Sequence, residues 1–387
     1  MNDGAAIAGL GMTELGRVYG RSPRRLAADA VRAAVDDAGL ALGDLDGLLV
    51  SHGLGGSPGI ELADTLGLRD LRLLTQMNSF GATAGAMLSY AAMSILSGAA
   101  TTVACVFADA PLKPKQSAGS AYHRDAPEWY GFGGMTAALG FRSVNAFYAL
   151  AAQRHMAHYG TTSEQLGAIA VSTRDWASRN PLAQMRDPIT LEDHQNSRWV
   201  AEPLHLLDCC LVSNGAIAVV VTGADRAADL ARPPVHLWGW GQGHPGHRKE
   251  RGSAFGLSTG AAASGPVAMK MAGITTGDVT QAQLYDCYTY TVLVSLEDYG
   301  FCGKGEGGAF AASGALGPDG PLPTNTGGGQ LSGYYMWGMT PVSEAVIQAR
   351  GGGGDRQAAN DVILVSGNGG ILDHHATLIL SPHRKGA

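Results

Sequence analysis

A layered α/β protein of two similar halves is what this sequence predicts, and three observations carry that expectation. The peptide Ala38 to Val50, AGLALGDLDGLLV, recurs as Ala272 to Leu284, AGITTGDVTQAQL, so that Ala38, Gly39, Gly43 and Asp44 are answered by Ala272, Gly273, Gly277 and Asp278. Each copy follows a helix-forming stretch, and in each a glycine ends the helix, a short turn carries Asp, and a strand begins. The chain is also long enough, at 387 residues, and apolar enough, at 45% with only 16% charged residues, to bury a large core. Glycine, at 56 residues, supplies many tight turns.

The elements follow in order from these signals. The N-terminal MNDGAAIAGLGMTELG is a strand running into a turn, and PRRLAADAVRAAVDDAGL is the first helix. The first repeat strand runs out into LLVSHGLGG. Gly85 to Ala108 is uncharged and long enough to raise the question of a membrane span, but Gly98 breaks it and TTVACVFA is rich in strand formers. A buried helix followed by a buried parallel strand is the expectation. The polar helix GADRAADLARPP, Gly223 to Pro234, marks the boundary between a first half, 1–228 with a loop or cap insertion at about 110–205, and a second half, 229–387. The second repeat strand runs out into LYDCYTYTVLVSLEDYGFCGKGEGG, Leu284 to Gly308. Ligand groups gather at the carboxyl ends of strands in open α/β sheets, which singles out Tyr285, Asp286 and Tyr288. A second aromatic run, GGGQLSGYYMWGMTP from Gly327 to Pro341, places Tyr334 and Tyr335 in a loop built for close backbone approach.

Composition excludes several function classes. Net charge is −6 with a pI near 6.0, and no Lys/Arg cluster interleaves with aromatics, which argues against a nucleic acid partner. The N-terminus lacks the basic region of a signal peptide. Five cysteines, an odd number without zinc spacing, are expected to be buried thiols in a reduced compartment, so the protein is expected in the cytoplasm, off the membrane. The GHPGH peptide, Gly243 to His247, holds two histidines in a loop and not on a helix face. The twelve histidines form no convincing ligand cluster, and no metal is expected. Lys304 is the one candidate for a Schiff-base amine near the pocket strand, and a surface loop suits it better. Its GKGEGG context lacks phosphate-loop spacing.

Two halves of this length, a Gly/Ala-rich helix start near residue 81, a strand ending in YDCY and a late Gly-Gly loop together resemble the thiolase superfamily over nearly the whole chain. The resemblance implies duplicated βαβαβαββ halves in a five-layered α-β-α-β-α architecture. It also locates three departures. GATAGAML stands where the nucleophilic cysteine opens a helix, which puts Gly81 at the cysteine position. Aligning the histidine motif on Gly328 and Gly329 puts Tyr335 at the histidine position. Tyr285 takes the Asn or His position of the xDCF tetrapeptide, and the late cysteine is replaced by Ser366 or Gly367 in VSGNGGILDHH.

One branch without the cysteine is resembled more closely, the thiolase-like retro-aldolases of bacterial steroid side-chain degradation. The carrying segments are EDHQNSRWVAEPLHLLDCC (Glu192 to Cys210), LEDYGFCGKGE (Leu296 to Glu306) and LPTNTGGGQL (Leu322 to Leu331), whereas Arg124 to Met135 does not match the steroid enzymes. The resemblance implies cleavage of a β-hydroxyacyl-CoA to a ketone and a shorter acyl-CoA, no cofactor beyond the substrate's own coenzyme A, and a small OB-fold partner. It implies acid–base roles for Tyr285 and Tyr335, and oxyanion or close-approach backbone at Gly81, Gly328, Gly329 and Gly369. Asp286, Tyr288 and His374 are candidates for supporting roles, although Asp286 also suits simple backbone bonding. Tyr334, Trp337 and Tyr290 are expected to pack. Two rival functions stay open, a Claisen-type acyltransferase with an unconventional nucleophile and a non-catalytic acyl-CoA or lipid carrier. A homodimer within a heterotetramer is expected, with Thr101 to Ala108 at the dimer centre as the most apolar strand of the first half.

Overall fold

The computed structural model describes residues 4–122, 138–141, 143–246 and 252–386. The segment Arg124 to Met135 and His247 lie outside the described residues. The repeated peptide folds the same way twice. The helix Pro23–Ala38 ends at Gly39 (φ 71°), the Asp44 carboxylate accepts from the Ala41 backbone N–H at 2.8 Å, and the strand Gly47–His52 begins. In the second copy the helix Ala261–Ala272 ends at Gly273 (φ 78°), Asp278 accepts from the Thr275 N–H at 2.8 Å, and Gln281–Gln283 begins. Both glycines hold the left-handed conformation that a side chain would resist.

The first half supplies β1 (Ala5–Met12), β2 (Gly47–His52), β3 (Leu73–Met77) and β4 (Thr102–Asp109). A small hairpin, β5 (Trp199–Ala201) and β6 (Leu204–His205), precedes β7 (Gly215–Gly223), and the second half supplies β8 (Val235–Gly243), β9 (Gln281–Gln283), β10 (Ile363–Gly369) and β11 (His374–Ser381). Among the described residues nine strands form one sheet in the order β3-β2-β4-β7-β1-β8-β11-β10-β9. Outward from the β1–β8 junction the two halves mirror each other, β1-β7-β4-β2 against β8-β11-β10-β9. Thr324, in a parallel bridge with Ala282, stands where β3 has its counterpart.

The helix Pro23–Ala38 covers one outer face, against β1, β4 and β7, and Ala261–Ala272 covers the other, against β8 and β11. The helices Thr83–Leu96 and Met339–Ala349 touch strands of both halves and form the middle layer, giving α-β-α-β-α. Thr83–Leu96 is uncharged and buried over most of its surface because strands of both halves pack against it. Gly98 (φ 75°) turns the chain into β4, so the apolar run is a buried helix and strand. No described helix is long and apolar enough to cross a membrane.

One expectation is corrected. Thr101 to Ala108 does not lie at an edge where a second subunit could meet it, because β4 pairs with β2 on one side and β7 on the other. The exposed edge of the first half is β3, which among the described residues pairs only with β2. Apolarity marks β4 as buried on both faces, which is a different property from standing at an edge.

Between β4 and β7 the helices Val144–Tyr159 and Ser163–Ser178 pack toward the second half. Buried polar pairs tie this 144–208 region to the second half. His155 Nε2 meets Glu297 Oε2 at 3.0 Å, and His194 Nε2 meets Asp208 Oδ1 at 2.9 Å, where Thr289 also donates at 2.6 Å.

Candidate active site

As the chain leaves β9, Tyr285 is buried and Asp286 follows it inward. The Tyr285 ring lies against Gly81, at the start of the middle-layer helix. A Cβ on residue 81 would stand 2.3 Å from Tyr285 Cζ and 2.2 Å from the Asn368 carbonyl oxygen, so no side chain fits there. Gly81 is thus required by the Tyr285 ring and the Asn368 carbonyl together. The Tyr285 and Tyr335 hydroxyls are 3.1 Å apart, which brings together the two residues singled out from positions 50 apart in sequence. Burial pushes the Tyr285 phenol well above its usual value of 10, so it keeps its proton at any physiological pH.

Tyr335 is held by its approach loop. Asp286 accepts from the backbone N–H groups of Gln330 at 2.8 Å and Leu331 at 3.3 Å, within the tight turn Gly329–Gly333. Burial raises the Asp286 carboxyl to about 7, against the pull of these bonds. The Tyr335 N–H donates to Ser213 Oγ at 3.0 Å. Asp286 therefore bonds backbone, and by doing so fixes the loop that carries Tyr335. Tyr334 turns away, with its hydroxyl 2.9 Å from Ser343 Oγ, and packs. Tyr290 packs too, its hydroxyl donating to the Gly256 carbonyl.

The glycines approach protein, not open space. A Cβ on Gly329 would stand 2.0 Å from Asp286 Oδ2, and one on Gly328 would stand 2.5 Å from the Ala177 Cβ. A Cβ on Gly369 would meet the Ser79 carbonyl oxygen at 2.2 Å, and one on Gly338 the Gly81 carbonyl oxygen at 2.3 Å. The tripeptide Ser79 to Gly81 is gripped between these backbones as the floor of the site. Two non-glycine residues here hold the left-handed region, Phe80 (φ 52°) inside the tripeptide and Trp337 (φ 48°) next to Gly338, and such geometry costs about 1–3 kcal/mol per residue and concentrates at functional sites. Trp337 is stabilised by Phe107, with ring centroids 5.1 Å apart.

The remaining candidates sit around this centre. Tyr288 donates to Asn145 and packs its ring 4.5 Å from Tyr148, forming an aromatic wall. His374 stacks on Phe80 and faces His244 across 3.0 Å; burial, then the neighbouring His244, holds its pKa below the usual range. Its stacking partner Phe80 precedes Gly81, against which the Tyr285 ring lies. His375 points to the opposite side of β11, to Ser366 at 3.0 Å and Tyr299 at 2.9 Å, as strand alternation requires. Lys304 is paired with Asp298 at 2.5 Å and donates to the Leu257 carbonyl at 2.8 Å, which leaves its amine engaged. No group of three or more potential metal ligands converges among the described residues.

Sequence reasoning missed two neighbours of the pair, Tyr148 and Asn368. Tyr148 arrives from a helix 137 residues before Tyr285 and carried no local signal. Asn368 lies between Gly367 and Gly369 at a strand end, where a polar residue in a glycine turn was a usable clue.

Fold and site together define a thiolase-type protein whose candidate site holds paired phenols and has no room for a side chain at the head of its middle helix. The family described as Thiolase C-terminal domain-like matches residues 241–382. A steroid side-chain-cleaving aldolase of Thermomonospora curvata is 39% identical, over 95% of this chain and 95% of that one. The 17-hydroxy-3-oxo-4-pregnene-20-carboxyl-CoA lyase of Mycobacterium tuberculosis is 38% identical, over 95% of this chain and 97% of that one. The solved Ltp2-ChsH2(DUF35) aldolase superposes with a TM-score of 0.88 at 37% identity, covering 99% of this chain and 98% of that one. The chain belongs to the thiolase superfamily and, within it, to the family of the steroid side-chain-cleaving aldolases.

Proposed function

We propose that the protein is a carbon–carbon lyase that cleaves a bulky β-hydroxyacyl-CoA of the steroid side-chain type by retro-aldol chemistry, with Tyr285 and Tyr335 as its acid–base pair. The observation that carries this is the 3.1 Å contact of the two hydroxyls above a residue that must be glycine. In the reaction the β-hydroxyl loses its proton, the Cα–Cβ bond breaks, and its electron pair passes into the thioester as an enolate. The ketone leaves and the α-carbon takes a proton. Tyr285, kept neutral by burial, suits the proton delivery. Tyr335, only partly buried, suits the β-hydroxyl side, with the proton passing between the two phenols. The names of the relatives support the substrate class and reaction type.

The acyltransferase reading needs an activated unconventional nucleophile, and the thiols nearest the pair do not supply one. Cys210 and Cys287 lie close to Tyr285, with the Cys210 N–H donating to the Cys287 carbonyl at 3.0 Å, but burial pushes the Cys287 thiol up to about 12. Such a thiol is a poor nucleophile. A small OB-fold partner is supported by the DUF35 partner named with the solved relative, and a cytoplasmic setting by five unpaired cysteines. The exposed edge of β3, which carries exposed Leu74, and the exposed Tyr90 and Met93 of the helix Thr83–Leu96 support a homodimer that binds two partner chains as a heterotetramer. No nucleic acid, membrane or cofactor beyond coenzyme A enters this reading.

Single-turnover cleavage of a β-hydroxyacyl-CoA by the complex, with ketone and shorter acyl-CoA quantified, tests it. Tyr285→Phe and Tyr335→Phe should each lose about 10²- to 10⁴-fold in rate, and together no more than the worse of them. Tyr334→Phe should change little. Normal rates in both pocket variants, or an acyl-enzyme trapped by mass spectrometry, would favour the acyltransferase. No turnover by the wild-type complex would favour the carrier.

A further inference from the structure

The Asn368 carboxamide has one end engaged and one end empty. The side chain is 1% exposed, its Nδ2 lies 3.1 Å from the Tyr148 hydroxyl, and its Oδ1 has no hydrogen-bond partner. Buried polar side-chain ends without a partner are rare, and one beside a reaction centre points to a ligand. The two ends of a carboxamide exchange by a half-turn, and a phenol hydroxyl serves either as acceptor or as donor. With Tyr148 donating to Oδ1, the amide presents an N–H where the empty end now stands.

The position is specific. The Asn368 backbone carbonyl and the Tyr285 ring tip both crowd the point a Gly81 Cβ would occupy. Tyr148 packs on Tyr288, and its hydroxyl lies close to Tyr285 and within hydrogen-bond reach of the Cys287 thiol as well as of Asn368. Burial keeps Tyr148 neutral and able to donate. Retro-aldol cleavage places negative charge on the thioester oxygen, and neither phenol is free to neutralise it while handling protons. Preorganised N–H donors are the usual answer to a developing oxyanion.

We propose that Asn368 is a catalytic residue whose side-chain N–H donates to the thioester enolate oxygen, and that Tyr148 is a positioning residue that locks the carboxamide in the donating orientation. The inference rests on the aldolase reading above. It assigns enolate stabilisation to a side chain on β10, separate from the proton-handling pair.

The test measures kcat and KM for β-hydroxyacyl-CoA cleavage by the assembled complex, together with deuterium wash-in at the α-carbon of the shorter acyl-CoA product. Removing one oxyanion donor costs about 10²- to 10³-fold in kcat, so Asn368→Ala and the near-isosteric Asn368→Asp should fall by that much with KM little changed. Wash-in, which needs the enolate but no bond cleavage, should fall in parallel. Tyr148→Phe keeps the ring and loses the lock, and should lose about tenfold in kcat with KM held. Should the Asn368 variants fail to fold, Tyr148→Phe decides alone. Wild-type turnover with Asn368→Ala or Tyr148→Phe within threefold of it would overturn the proposal and leave the empty end to a buried water. An inactive wild type would instead overturn the aldolase reading.

Discussion

Gly81 and Tyr285 exclude each other's alternatives. A methyl group at 81 meets the Tyr285 ring and the Asn368 backbone together, so Gly81→Ala should destabilise the protein by about 1–3 kcal/mol, the usual cost of overpacking. Removing the ring relieves only its own share. The Gly81→Ala, Tyr285→Ala double variant should therefore be more stable than the two single losses predict, by about 0.5–3 kcal/mol in a double-mutant cycle read by urea denaturation. Strict additivity would mean that the ring does not occupy the space of the 81 side chain. At this scale the sequence was informative where a residue replaced another at a recognisable position, as with Tyr285, Tyr335 and Gly81. It was silent where the partner comes from a distant segment, as with Tyr148. The glycines at 328, 329 and 369 were marked for close approach, but the sequence could not say that Asp286, Ala177 and Ser79 make that approach.

The element β11 carries a buried titratable group that the reaction does not use. His375 is fully enclosed by Ser366, Tyr299 and neighbouring apolar residues, and burial lowers its pKa to about 3. A folded-state value below the unfolded one means that the unfolded chain takes up a proton first as pH falls. The resulting stability is complete above about 6.5 and is lost as pH falls toward 3, at up to about 1.4 kcal/mol per pH unit. Asp286 and Asp109, raised by burial to about 7 and about 6, act in the opposite sense, losing stability as pH rises from about 4 toward those values. The contribution of His375 must therefore be read as a difference. The stability gap between wild type and His375→Gln should shrink between pH 7 and pH 4.5 in urea titrations, and a constant gap would contradict the assigned burial effect. Helices and strands around the repeated Ala-Gly peptide were legible because capping chemistry is local. The place of β4 within the sheet was not, because strand order is set by partners distant in sequence.

For the whole molecule, the duplicated halves meet through β1 and β8 and leave β3 as the outer edge of the first half. An exposed strand edge carrying Leu74, together with Tyr90 and Met93 exposed on the helix Thr83–Leu96, offers apolar surface that self-association would cover. Light scattering at micromolar concentration should report a dimer, and Leu74→Glu with Met93→Glu should weaken it by about 30-fold or more. A wild-type monomer, or a dimer indifferent to these charges, would place the contact elsewhere. The layered architecture was foreseeable from the repeat and the resemblance, whereas the continuity of both halves in one sheet depends on three backbone pairs, Ala5–Leu237, Ala6–His236 and Ile7–Val235, that no local pattern announces. The contact of Gly81 with Tyr285 also crosses this seam, since one residue comes from each duplicated half. Chimaeras that exchange halves with a cysteine-bearing thiolase would join a thiol to a phenol that already fills its place. The two copies have thus become heritable only as a matched pair, and recombination at the seam is opposed by one ring and the backbone beside it.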